Sequence, residues 1–146
     1  MTSNIPAKLC DHIVQNAQEA IIYADRGGII QLWNTGAEAL FGYTAAEALG
    51  KNLDLIIPER QRQRHWDGYE KVMATGETRY GKELLAVPAM HKNGARISLE
   101  FSIVLVRDDT GSPQGVAAIM RDVTARRQQE QEMKQRLAAL EAKGKA

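Results

Sequence analysis

A chain of 146 residues suits one domain with a sizeable core plus a short appendage, and two domains would be cramped. Its 44% apolar and 25% charged residues, with a formal net charge of +1, give no electrostatic case for nucleic acid or an anionic membrane as partner. No apolar run approaches the roughly 20 residues needed to cross a bilayer, and no basic segment leads into a hydrophobic stretch at the N-terminus, so the expected compartment is the cytoplasm. The one cysteine, Cys10, has neither an internal disulfide partner nor a Cys or His at ligand spacing, and is expected to be a partly buried helix residue.

From Pro6 to Asn16, the apolar residues Leu9, Ile13 and Val14 behind a proline predict a short amphipathic helix packed on a neighbour. The β-branched run Ala20 to Asp25, then Arg26-Gly27-Gly28, then Ile29 to Asn34 reads as a hairpin, because glycines reach the positive φ of a tight turn without a Cβ clash. Thr35 to Phe41, Thr44 to Leu49 and Leu53 to Ile57 are short helical pieces punctuated by Gly42, Gly50 and Pro58. Thr44 and Glu47 have capping-box spacing.

A longer helix is predicted from Arg60 to Ala74, stopping at Thr75-Gly76, with His65, Tyr69 and Val72 or Met73 on one face. Strands follow at Tyr80 to Val87, Arg96 to Arg107 and Gly115 to Val123, with a turn at Lys92-Asn93-Gly94 and a loop from Asp108 to Gln114. Ile97, Leu99, Phe101, Ile103 and Leu105 alternate along the second of these, so one face of that strand belongs to the core. Two strands, several short helices and three more strands make an α+β domain whose antiparallel sheet is covered on one side.

After Thr124 the chain turns to strong helix formers, with Met133, Leu137 and Leu140 spaced as in a coiled-coil seam. Only about one and a half heptads are present, fewer than the ~3 to 4 that secure a coiled coil, so a dimerising helix and a solvated helix packed on the sheet both remain open. The expected divisions are an N-terminal helix at 1–17, a central domain at 18–124 and a C-terminal helix at 125–146.

His65 is the residue with the most chemistry to offer. Pointing inward, a neutral imidazole on an apolar face is a good metal ligand; pointing outward, it is one more polar residue in the basic run Arg60 to His65. Arg60, Arg62 and Arg64 read as solvated, and His12 and His91 as surface residues without metal-ligand spacing. Gly27-Gly28 lacks the context of a phosphate loop, and no Ser/His/Asp or paired-carboxylate arrangement stands out, so the expectation is a protein that is not an enzyme.

Several of these segments together resemble a known family. Asp25 to Ile30 through Trp33-Asn34, then Ala37 to Tyr43, Glu47 to Lys51 and Pro58, are similar to the first half of a PAS domain of the S-box type. Met90 to Gly94 and Met120 to Thr124 resemble its second half, and the match runs in order from about residue 8 to 126. The resemblance implies a PAS fold: a five-stranded antiparallel sheet with short helices on one face, cupping a small-molecule ligand, flanked by an N-terminal helix and a C-terminal signalling helix.

Within that family the pattern is most similar to haem-binding sensors of the rhizobial oxygen-sensor kinase and direct oxygen sensor phosphodiesterase type. That resemblance implies heme b with His65 as metal ligand and a cofactor-contacting set of His65, Tyr69, Leu84, Leu85, Phe101, Ile103 and Met120. It puts Leu85, with Leu84 beside it, where the oxygen sensors carry an arginine or methionine. Leucine donates no hydrogen bond, so carbon monoxide, nitric oxide or redox state is as plausible a signal as oxygen. Asp122, Val123 and Thr124 form the motif that passes the signal to the terminal helix. Flavin adduct photochemistry is excluded by the lack of a cysteine in the matching helix, while a redox flavin near Trp33 or Trp66 stays possible. The competing reading is a cofactor-free interaction module. Both readings expect a homodimer coupled through the C-terminal helix to an effector domain or partner protein.

Overall fold

Asp25 closes the first hairpin. Its Oδ1 accepts the amides of Gly27 and Ile29 at 2.9 and 3.0 Å, its Oδ2 accepts Gln31 Nε2 at 2.9 Å, and Gly28 takes up φ +79° to reverse the chain. In the computed structural model, which describes residues 4–78 and 85–144, this turn joins β1 (Ala20–Asp25) to β2 (Ile30–Trp33). The remaining strands are β3 (Leu85–Met90), β4 (Arg96–Arg107) and β5 (Pro113–Asp122). They form a five-stranded antiparallel sheet in the order β2-β1-β5-β4-β3, so the first and last strands of the domain pair at its centre. This is the α+β architecture the motifs implied.

The helices are α1 (Ala7–Asn16), α2 (Thr35–Phe41), α3 (Ala45–Ala48), α4 (Glu59–Thr75) and α5 (Thr124–Gly144), with a 3₁₀ turn at Leu53–Leu55. Asn34 starts α2 by accepting the Ala37 amide, and Thr44 and Glu47 make the reciprocal capping box at α3. Pro58 precedes α4, and Gly76 ends it at φ +71°, its amide bonding Val72 O at 2.8 Å. Two cations meet the carbonyls left over at that end: Arg107 donates to Gly76 O and Arg26 to Met73 O at 3.3 Å, and Arg26 also donates to Pro113 O at the start of β5, at 2.6 Å.

The core lies between α2, α3, α4 and one sheet face. Ala20, Ile22 and Ala24 of β1, Ala118 and Met120 of β5 and Leu99 of β4 are buried against Phe41, Ile56, Tyr69 and Met73. Phe41, Ile30 and Leu99 are among the largest fully buried side chains, each contributing about 1.5–3 kcal/mol of burial. The alternation read in β4 holds: Ile97, Phe101, Ile103 and Leu105 pack on this cluster.

Three local expectations are corrected. The third strand runs Leu85–Met90 rather than ending at Val87, with Pro88 inside it. Pro88 is tolerated because β3 is an edge strand, paired only with β4, so the missing N–H breaks no ladder. The stretch 79–84 lies outside the described residues. Cys10 is exposed, not partly buried, because α1 meets the body of the domain at α2 and buries none of its own residues. His91 is half-buried, its ring against Gly42, where a Cβ would come within 2.5 Å of Cε1.

Candidate functional site

One stripe of α4 faces the sheet. Tyr69 and Met73 on it are buried, and His65, one turn earlier, is half-buried with its ring edge-on to Trp66 (centroids 4.8 Å) and 5.8 Å from the ring of Tyr69. Among the described residues, His65 Nδ1 is buried with no hydrogen-bond partner, and so is Oε1 of Gln61, four residues before it. Such atoms are uncommon in native proteins, because each costs about 1–3 kcal/mol of lost solvation. Burial pulls the His65 pKa below its ordinary value, against a smaller opposing pull from the Asp54 carboxylate, so the imidazole is uncharged at neutral pH.

The neighbouring polar groups are committed. Trp66 Nε1 donates to Asp54 Oδ1 at 2.7 Å, and Arg62 donates to Ile57 O at 3.1 Å and Asp54 O at 3.3 Å. The Tyr69 hydroxyl donates to the carbonyls of Ala24 and Asp25, locking α4 to the first hairpin. Burial, then the charge of Asp25, pushes the Tyr69 pKa far up, so the phenol stays protonated.

The opposite wall is the sheet. Leu85 pairs with Phe101, Phe101 with Met120 and Met120 with Ala20, a row crossing β3, β4, β5 and β1 on one face. Ile103 pairs with Ala118 in the next row of that face. Of the seven residues expected to contact a cofactor, His65 and Tyr69 lie on one stripe of α4, Tyr69 and Met120 share the buried cluster, Phe101 and Ile103 pack against it, and Leu85 pairs with Phe101. Leu84 lies outside the described residues. Trp33 is buried with Nε1 donating to Tyr43 O at 2.9 Å, and Trp66 packs over Gly28, so both tryptophans are packing residues here. Arg62 is not simply solvated as expected, since it ties the start of α4 to the 3₁₀ turn.

Met120 also lines an open groove of about 510 Å³ between α2 and the sheet, with Leu40, Ile97, His91 and the ion-paired Glu19 and Arg121 (2.6 Å). Beside it lies the expected relay. Asp122 Oδ1 accepts the Thr124 amide at 2.8 Å and its hydroxyl, while Thr124 Oγ1 accepts the Ser98 amide at 2.9 Å. Val123 is buried and its amide donates to Ser98 O at 2.9 Å. One turn into α5, Arg126 pairs with Glu100, also on β4.

Sequence reading missed Asn34, Gln61, Asp54 and Ser98. Among the described residues there is no cluster of three or more His, Cys, Asp or Glu able to hold a metal, and no helix long and apolar enough to cross a membrane.

Comparison with known proteins fits this geometry. A family model described as PAS fold matches residues 14–128. The sensor protein FixL of Bradyrhizobium diazoefficiens is 29% identical over 116 residues, covering 80% of this chain and 23% of FixL. The oxygen sensor protein DosP of Escherichia coli is 25% identical over 130 residues, covering 87% of this chain and 16% of DosP. The chain therefore spans less than a quarter of either relative. The crystal structure of a PAS domain from Colwellia psychrerythraea superposes with a TM-score of 0.70 at 23% identity, covering 81% of this chain and 97% of that one, a likeness of fold alone. With the family model matching well over half its length, the chain belongs to the PAS family, the sensory domains of signal-transduction proteins.

Proposed function

We propose that residues 18–124 form a haem-based gas or redox sensor, with heme b between α4 and the sheet and His65 as its axial ligand. The observation that carries this reading is His65 itself: an uncharged, half-buried imidazole on the stripe of α4 that also carries the buried Tyr69 and Met73. The similarity to DosP, an oxygen sensor by name, supports it. The residues fit the group, since a neutral imidazole is a good iron ligand and Leu85, Phe101 and Ile103 offer an apolar wall. When bound, haem supplies an iron that takes up a diatomic gas or changes oxidation state. The chain's own part is to hold the ring, exclude water and, with Leu85, offer bound gas no hydrogen bond.

The signal leaves through Asp122, Val123 and Thr124 into the helix at 125–146, which with the helix at 1–17 pairs the domain with a second copy and couples it to an effector domain or partner protein in the cytoplasm. Relay requires the ligand to favour one arrangement of that junction over another.

A second reading has its own observation. Tyr69, Met73, Leu99 and Met120 are buried in one cluster, as in an interaction module whose interior is filled by its own side chains. The absorption spectrum of protein expressed with ample haem separates the two. A Soret band lost in His65→Ala supports the sensor, and a colourless protein overturns it.

A further inference from the structure

Gln61 Oε1 and His65 Nδ1 are both buried, both without a partner, and one helical turn apart on the same helix. Side chains four residues apart on a helix are neighbours, with Cβ atoms about 5–6 Å apart. The two atoms are also complementary, because an amide carbonyl accepts only and an imidazole nitrogen can carry a proton to give. Among the described residues, the other polar groups around the ring do not compete. The Trp66 indole N–H goes to Asp54, whose carboxylate also faces Arg62 at 3.9 Å, and the Tyr69 hydroxyl goes to the backbone of β1.

We propose that Gln61 is the positioning residue of His65: a side-chain rotation lets its carbonyl take the Nδ1 proton, which fixes the tautomer and leaves Nε2 bare for whatever the domain binds. The inference rests on the reading of His65 as the ligand-contacting residue. It adds which nitrogen makes the contact and which side chain decides that. Partners of this kind orient a histidine and raise the basicity of its free nitrogen. Nothing in the spacing of a glutamine within a basic run announces this role, since Arg60, Arg62 and Arg64 surround it.

The test is long-range proton–nitrogen NMR of the histidine side chains in the full, ligand-free chain at a pH where His65 is neutral. The expected result is the Nδ1–H tautomer in the wild type, retained in Gln61→Glu, and a shift toward Nε2–H in Gln61→Met, which keeps the side-chain length but loses the carbonyl. An Nε2–H tautomer in the wild type, or no change in a folded Gln61→Met, overturns the proposal; the latter is the result expected if water alone satisfies Nδ1. Where haem binds, the iron midpoint potential gives a second readout. It is expected to fall in Gln61→Glu and rise in Gln61→Met, and equal potentials in all three proteins count against the proposal. A colourless protein sinks the haem reading alone, because the tautomer measurement needs no haem.

Discussion

Trp66 rests on the bare backbone of Gly28: a Cβ built there would lie 2.2 Å from two carbons of the indole ring. The contact joins the first hairpin to the helix that carries His65, and Asp54 holds the indole in place from the other side. Gly28→Ala therefore meets two penalties, a left-handed φ of +79° and an overlap with a ring that has little room to move. Together these cost about 2–4 kcal/mol. Denaturant midpoints check this, and Trp66→Ala in the same background is expected to recover the overlap part but not the backbone part. Simple additivity of the two substitutions would rule out the contact as the cause.

Asn34 is fully buried and fully satisfied. Its Oδ1 accepts the amides of Ile21 (2.8 Å) and Ala37 (2.9 Å), and its Nδ2 donates to the carbonyls of Val14 (2.8 Å) and Glu19 (3.0 Å). One side chain thus fixes α1, the lead into β1 and the start of α2. Asn34→Ala strands several buried groups at once and is expected to cost about 3 kcal/mol or more, read as a lowered melting temperature. A loss under about 1 kcal/mol would mean that water replaces the amide.

Much of this was legible in the sequence where the signal is local. Gly27-Gly28, the Thr44 to Glu47 box, the Gly76 stop and the alternation in β4 each specify a conformation within a few residues, and each is found where expected. Partnerships set by the tertiary arrangement were not legible. Asn34 bonds residues 13 to 20 positions earlier, and Trp66 meets a carboxylate 12 positions earlier. The strand expected to end at Val87 runs on through Pro88 because edge status depends on which strand lies alongside, which no local pattern records. The face of Phe101 and Ile103 was readable from the period of two, and Leu85 only from the family resemblance, whereas the orphaned pair of Gln61 and His65 depends on what packs over α4.

The depressed pKa of His65 has a sign that can be followed. Its ordinary value is 6.5 and burial lowers it in the fold, so as pH falls below about 6.5 the unfolded chain takes up a proton that the folded chain refuses. The stability contributed by the neutral ring is complete above that value and is lost until pH reaches the lowered folded value. In haem-free protein the wild type should lose stability relative to His65→Leu across this window, by at most about 1.4 kcal/mol per pH unit. Urea midpoints between neutral and mildly acid pH measure it, and parallel curves would mean the ring is as solvated folded as unfolded.

The apolar side chains Met133, Leu137 and Leu140 are 70, 58 and 67% exposed on α5, and Ile5 and Ile13 are similarly open at the N-terminal end. If these stripes meet a second copy, sedimentation should give a dimer at concentrations on the order of tens of micromolar, and Leu137→Glu should shift it to monomer with the domain still folded. A wild-type monomer under those conditions counts against pairing through α5.

Thr124 is where such a pairing would feel the sheet. Its hydroxyl accepts the Ser98 amide and donates to Asp122, so the first turn of α5 is bonded to β4 within the same strand stretch that pairs Glu100 with Arg126. Thr124→Val keeps the shape and removes both bonds, leaving the Ser98 N–H without its acceptor at a cost of about 1–2 kcal/mol. Because the lost contacts lie at the junction and not in the core, the damage should be local: faster hydrogen exchange at Ser98 and in the first turn of α5, with β1 and the core of β5 unchanged. Exchange rising evenly through the whole sheet would instead make Thr124 a determinant of global stability. Exchange unaltered at Ser98 would leave the Val123–Ser98 backbone bond and the Glu100–Arg126 pair as the connections between this junction and β4.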